Sequence, residues 1–394
     1  MGRPGSWSRA ARTWLPSMRR WRRALHREPE VAYEEVRTRA IVAEALGSLG
    51  IAPRRVPGLT GLIATIGPDR PGPVVALRAD MDGLPVEEAT GLPFRARRRG
   101  RMHACGHDLH MAAALGAAAI LKERDPPTAG PVRLIFQPAE EQGERGGAGP
   151  MVDAGALDAP KVDFVVGQHV DPSIPLGQVG WKSGPVMAAA DHFVITITGR
   201  GGHAAFPHRG PDAIVVAAEV VAGLQALVSR TRDPLEPVVV SVGSIHGGTS
   251  HNVLPDEVVL EGTLRTLRPV VRAEMERRIR RRVRYLAQSL GASAHVDFRR
   301  GYPVTSNPPT STRRVVDALT REFGSGRLVE LERPMMGAED FSRYLERVPG
   351  AFLFLGVGTD RTAPLHSARF APSEAALPMG AAVLASAVEG LQGP

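Results

Sequence analysis

Four short apolar runs, each breaking into carboxylates or histidines at its carboxyl end, constrain this 394-residue chain more than any other feature. Residues 74–77 (VVAL) stop at Arg78-Ala79-Asp80-Met81-Asp82-Gly83, and residues 132–136 (VRLIF) stop at Gln137-Pro138-Ala139-Glu140-Glu141. Residues 162–166 (VDFVV) precede Gly167-Gln168-His169, and residues 351–355 (AFLFL) lead through Gly356 and Gly358 to Pro364-Leu365-His366-Ser367. Continuous apolar runs of this length read as strands buried on both faces. Helical patterns lie between or after them, at 111–122, where Gly116 is the only breaker, and at 373–391. Alternating strand and helix predicts an α/β sheet whose ligands collect outside the carboxyl ends of its strands. The scattered polar residues are therefore expected to converge on one edge.

From about residue 191 to 300 the pattern changes. A strand at 192–198, a helix at 211–230, strands at 238–245 and 257–266, a helix at 269–290 and a strand at 294–298 give the order βαββαβ, a split-βαβ, ferredoxin-like α+β sandwich. The chain is longer than one hydrophobic core usually supports, so this segment reads as a second domain inserted into the first. The expected division is a basic leader at 1–17, loose and flexible, a first domain at 18–187 and 301–394, and the insertion at 188–300.

Composition removes several function classes. The single cysteine, Cys105, cannot form an internal disulfide, which suits a reducing, cytoplasmic setting. No uninterrupted run of about 18 apolar residues offers a membrane span, and the basic N-terminus lacks the continuous apolar stretch of an export signal. The net charge of +8 raises nucleic acid as a partner, yet only three of the 49 basic residues are lysines and the arginines are spread along the chain. The densest cluster, residues 276–284 (ERRIRRRVR), keeps a helical apolar stripe of Met275, Ile279, Val283 and Leu286 beneath it. It reads as a solvated helix face, so neither nucleic acid nor membrane is expected as a partner.

The chemistry gathers in a few stretches. Met102-His103-Ala104-Cys105-Gly106-His107 places a thiol and an imidazole two residues apart, too close to share a helix face, so both are expected in a turn before the alanine-rich helix. On these residues alone metal binding and a buried free cysteine stand equal. Glu140 and Glu141 are adjacent. If their backbone is extended, one carboxylate can ligate an ion while the other faces water, and a solvated acidic turn is the competing reading. With His169 and His366, these residues offer five ligands of mixed softness, Cys105, His107, Glu141, His169 and His366, enough for two metals. Paired ions acidify water and polarise a carbonyl, the apparatus of amide hydrolysis. In the insertion, the glycine-rich turn around His203 and the loop Ser250-His251-Asn252 form another polar group, without a GxGxxG or GKS/GKT phosphate motif.

Taken together, the stretches LRADMDGLPVEE, MHACGHDLHMAAALGAA, IFQPAEEQGERGGAGPMVDAG, GRGGHAAFPH, SHNVLPDEVVLEGTLRT, PMMGAEDF and PLHS, with Arg23 to Glu30 before them, resemble the dinuclear-metal amidohydrolases of the aminoacylase and carboxypeptidase type. The nearest branch is that of hippurate hydrolases, N-acyl-amino-acid amidohydrolases and indole-acetyl-amino-acid hydrolases. The resemblance implies an aminopeptidase-like catalytic domain with a mixed, largely parallel sheet and an inserted lid or dimerisation domain. It implies that Cys105, His107, Glu141, His169 and His366 hold two divalent ions (Mn, Zn, Co or Ni), with Glu140 as the general base acting on the bridging water. It further implies that Asp82 supports the metal cluster without binding it, that His203 stabilises the tetrahedral oxyanion across a homodimer or higher homo-oligomer formed through the inserted domain, and that Asn252 and Arg265 hold the substrate carboxylate. The implied substrate is an N-acyl amino acid. A small-peptide hydrolase or a biosynthetic deacetylase of the N-acetyl-diaminopimelate type is the alternative. Gln168, where an apolar residue often precedes the ligand histidine, is the one departure near these positions.

Overall fold

The computed structural model describes residues 5–393, and these divide into two compact units. The first comprises the chain up to Val186, Ser306–Arg333 and the residues from Asp340 onward; the second comprises Met187–Thr305 and Pro334–Glu339. The insertion expected at 188–300 thus corresponds to a unit a few residues longer, joined by the short segment 334–339.

The first unit is built on an eight-stranded sheet. Its order is Pro53–Arg55, Leu62–Ile66, Val132–Gln137, Val75–Asp80, Phe164–Pro175, Gly350–Gly358, Val179–Trp181 and Leu328–Glu330. The four central strands, which contain all or most of each of the four apolar runs, are mutually parallel, whereas Leu62–Ile66 and Val179–Trp181 pair antiparallel with their central neighbours. Val75–Asp80 and Val132–Gln137 are buried at every position, their apolar residues by packing and Arg78, Asp80, Arg133 and Gln137 through hydrogen-bonded partners. Asp80 pairs with Gln137 and Arg78 with Gly167, which sets Asp80, Gln137 and His169 at one level near the carboxyl edge. One expectation needs correcting: Phe164–Pro175 continues well past its apolar run, so His169 lies within the strand and not beyond it.

Helix His107–Lys122 is apolar on nearly all sides and is buried from His107 through Leu121, packed against Leu377–Gln392 and Leu15–Arg27. Gly116 makes room for the Leu15–Arg27 helix, because a Cβ there would meet Met18 Sδ at 2.2 Å. The flexible leader is a second correction. Residues 1–4 lie outside the described residues, but Ser6–Thr13 and Leu15–Arg27 are helices whose Trp7, Ala11, Met18 and Leu25 are buried in the first unit's core. Trp7 donates its indole N–H to Glu389 at 2.7 Å and lies 4.2 Å beneath the Arg124 guanidinium. These residues recur at helical spacing, and the arginines between them conceal the stripe from a reading of charge alone.

The second unit is a four-stranded antiparallel sheet, ordered Val238–His246, Glu257–Thr266, Ala189–Thr198 and Ser293–Arg300, whose core is shared with helices Ala213–Thr231 and Pro269–Ser289. Strand Ala189–Thr198 alternates buried and partly buried positions, and Pro269–Ser289 buries Val271, Met275, Ile279, Val283 and Ala287 at helical spacing. Asp212 caps Ala213–Thr231 by accepting the N–H groups of Ile214 and Val215. Ala213–Thr231 and Glu374–Gln392 reach the length and mean hydropathy of a membrane span, which the search for an unbroken apolar run missed. Each contributes its buried residues to the core of its own unit.

Candidate metal centre and active site

The thiol and imidazole enter at the start of helix His107–Lys122. His107 is its first residue, so only Cys105 and Gly106 occupy the turn that was expected to hold both groups. Gly106 adopts φ 84°, and a Cβ there would lie 2.6 Å from Val170 Cγ2, so glycine lets the turn close against the His169 strand. Cys105 Sγ then lies 3.2 Å from His169 Nε2. His169 Nδ1 faces the Val170 carbonyl at 2.7 Å; a carbonyl only accepts, so Nδ1 carries the proton and the Nε2 lone pair faces the cluster. His107 is oriented in the same way, its Nδ1 donating to Asp82 at 3.2 Å and leaving Nε2 inward.

The two glutamates do not lie on the extended backbone expected of them. Glu140–Gln142 form a 3-10 turn entered through Ala139 at φ 57°, a left-handed conformation that costs a non-glycine residue about 1–2 kcal/mol. Both carboxylates face the same cluster as a result, each with an oxygen within 4.8 Å of a His107 ring nitrogen. Asp82 accepts the Glu141 N–H at 2.9 Å, so one buried carboxylate organises His107 and Glu141 together. His366, at φ 62° and tied by its N–H to the Ala104 carbonyl, brings Nε2 to 3.3 Å from Glu141 Oε1. It stands on the open side of an otherwise buried group, with 55% of its side chain exposed.

The electrostatics favour a cation. Burial disfavours a charge on His107, but Asp80, Asp82 and Glu141 outweigh it and push its pKa up to about 10. Burial also resists ionisation of Glu141, yet His366 and His107 hold its carboxyl below the usual value, and His366 is raised in turn by Glu141. Burial, then the charges of Glu141 and Glu140, hold the Cys105 thiol well above its ordinary range, a situation that a nearby cation would invert. His107 Nε2 is buried and lacks a hydrogen-bond partner, a burden of about 1–3 kcal/mol unless a polar or charged group meets it. Thiolate, imidazole and carboxylate donors suit borderline divalent ions, so the residues fit such a group.

Cys105, His107, Glu140, Glu141, His169 and His366 thus belong to overlapping ligand groups in the first unit, with Asp82 behind them. His203, Asn252 and Arg265 lie in the second unit. His203 pairs with Val253 across a two-stranded ribbon, Asn252 accepts the Ala204 N–H, and Arg265 sits half-buried on strand Glu257–Thr266. Sequence reasoning missed Asp80 and His110. Asp80 accepts from His110 Nδ1 at 2.6 Å and lies 3.8 Å from His107 Nε2. Period-two alternation from Asp82 could have found it. His110 is spatially close enough to be a ligand, but its Nε2 accepts the Val170 N–H at 2.9 Å and its Nδ1 is committed to Asp80, which leaves no lone pair for an ion. A further buried network, in which Arg22 and His26 both contact Asp108 next to His107, was also missed because its members are far apart in the chain.

A family model described as peptidase family M20/M25/M40 matches residues 76–390. The chain is 41% identical over 365 residues to thermostable carboxypeptidase 2 of Saccharolobus solfataricus, covering 91% of each chain. It is 42% identical over 357 residues to N-acetyl-L-cysteine deacetylase of Bacillus subtilis, covering 90% of this chain and 83% of the relative. Among solved structures, the YxeP protein of Bacillus subtilis, described as a dinuclear metal-binding peptidase, superposes with a TM-score of 0.84 at 34% identity, covering 97% of this chain and 99% of its own.

Proposed function

Because the chain belongs to peptidase family M20/M25/M40 and is a metallo-amidohydrolase, we propose that it hydrolyses the amide bond of N-acyl amino acids. The observation that carries this reading is the convergence of Glu140 with ligand-type side chains from four separate stretches in one cluster, buried except on the His366 side. Cys105, His107, Glu141, His169 and His366 would hold two divalent ions, drawn from Mn, Zn, Co or Ni. When bound, such ions supply Lewis acidity that polarises the amide carbonyl and eases ionisation of water. Glu140 takes the proton of the attacking water and delivers it to the amide nitrogen as the C–N bond breaks, so hydroxyl ends on the acyl carbon and hydrogen on the amine. Asp82 fixes the His107 tautomer and the Glu141 backbone, keeping both donors aimed inward.

His203, as a donor to the tetrahedral oxygen, and Asn252 and Arg265, as partners of the substrate carboxylate, remain proposals that rest on the resemblance. A homodimer through the second unit is part of this proposal. Its support is apolar exposure on that unit: Val239 and Ile245 on the edge strand Val238–His246, and Ile214 and Val215 on helix Ala213–Thr231. Small-peptide hydrolysis is the second reading, favoured by likeness to a carboxypeptidase. A panel of N-acetyl, N-benzoyl and N-indoleacetyl amino acids beside dipeptides separates the two. Glu140→Gln should keep its metal content and lose turnover by roughly 10²–10⁴-fold. Fully metallated protein that cleaves none of the N-acyl substrates would refute the proposal.

A further inference from the structure

The turn carrying Glu140 and Glu141 is gripped by a residue that lies outside the stretch matched by the family model. Among the described residues four non-glycine positions have positive φ: Tyr33, Ala139, Ala159 and His366. One oxygen serves two of them. Glu35 Oε1 accepts the N–H of Tyr33 at 3.0 Å and that of Ala139 at 2.9 Å, while Glu35 Oε2 accepts the Thr60 hydroxyl. Both Glu35 and Ala139 are fully buried.

The loop that delivers Glu35 is itself locked. Glu30 accepts the N–H groups of Arg37 and Thr38 through its carboxylate, and its carbonyl accepts the N–H of Gly83, the residue after Asp82. The Ala139–Glu141 turn is therefore strung between two buried carboxylates, Glu35 on the Ala139 N–H and Asp82 on the Glu141 N–H. A buried alanine held at φ 57° relaxes toward right-handed backbone if its N–H loses its acceptor, and that rotation redirects the two side chains that follow.

We propose that Glu35 is a positioning residue that holds Ala139 in its left-handed conformation, aims Glu140 and Glu141 into the ligand cluster, and so sets metal affinity and turnover without touching ion or substrate. The proposal rests on the roles assigned above to those two glutamates. It separates the acceptor role of Glu35 from its charge, because a glutamine at this position still presents an oxygen to both amides.

The test compares Glu35→Ala, Glu35→Gln and Glu35→Ala with Ala139→Gly in the full chain, reading Mn²⁺ affinity by calorimetry, kcat and KM, and the thermal midpoint. Glu35→Ala should weaken Mn²⁺ binding by about 10–100-fold, the loss typical when a residue orienting a ligand is removed. Glu35→Gln should bind Mn²⁺ much as the parent does, and glycine at 139, which adopts the left-handed region without strain, should recover part of the loss. Leu46→Ala, a cavity in the helix that follows Glu35, should lower the midpoint and leave Mn²⁺ affinity alone. Unchanged Mn²⁺ affinity in Glu35→Ala, an equal loss in Leu46→Ala, or a glutamine variant as impaired as the alanine would each overturn the proposal. Should Glu35→Ala not fold, Glu35→Asp, which withdraws the acceptor by one methylene, carries the same expectation and the same refutation. Failure of the parent to cleave any N-acyl amino acid would sink the functional reading alone, since the metal titration still decides the role of Glu35.

Discussion

Raising the pH from 6.5 to 9.5 should strip a proton from His26 and weaken the first unit by about 2–3 kcal/mol. His26 is 1% exposed, with Nδ1 2.9 Å from Asp108 and Nε2 3.1 Å from Glu88, so both ring nitrogens face carboxylates and both carry protons. Burial works against that charge, but Asp108 and Glu88 outweigh it and raise the imidazole to about 9. The folded value lies above the unfolded value of about 6.5, so the stabilisation is complete below that pH and is lost as pH climbs through 9. An interval of about 2.5 units, at roughly 1.36 kcal/mol per unit, bounds the effect near 3 kcal/mol.

His107 titrates in an overlapping window, which makes the parent's own pH slope composite. Comparison with His26→Gln isolates the His26 part. All four tryptophans, Trp7, Trp14, Trp21 and Trp181, belong to the first unit, so urea unfolding followed by tryptophan fluorescence reports on that unit. With metal removed by a chelator, the stability gap between parent and variant should be widest at pH 6.5 and close by about 2–3 kcal/mol at pH 9.5. Parallel curves across that range would refute a charged His26. The result bears on the site, because Asp108 is the second residue of the helix that begins with His107.

Asp82→Asn should reduce Mn²⁺ or Zn²⁺ affinity by about 10–100-fold, since Asp82 meets the His107 ring with Oδ1 and the Glu141 N–H with Oδ2 and an asparagine has an oxygen at only one of these positions; metal titration checks this. Trp7→Ala should cost about 3–5 kcal/mol by urea unfolding, as expected of a buried indole, and a loss near zero would restore the reading of residues 5–17 as a loose leader.

The helices and strands of the second unit were legible almost residue by residue, since Glu257–Thr266 alternates and Pro269–Ser289 repeats its apolar positions at helical spacing. The ligand-type residues were legible as well, because thiol, imidazole and paired carboxylates at strand ends advertise themselves in a chain with one cysteine. His110, in the same stretch as Cys105 and His107, was passed over. Its chemistry suits a ligand, and only its contacts with Asp80 and the Val170 N–H remove it from that role. The Ser6–Thr13 helix was misread as a loose leader because arginines dominate the composition around a real apolar stripe.

What the sequence by itself determined is periodicity and residue type: the four buried central runs, the helix and strand pattern of the second unit, and which side chains could carry chemistry. Tertiary structure alone decided how those side chains are aimed. The left-handed Ala139 depends on an acceptor more than a hundred positions earlier, and the charge on His26 depends on Glu88 and Asp108. Backbone strain and buried charge are stabilised by partners brought together through packing, and local patterns of residues contain no record of those distances.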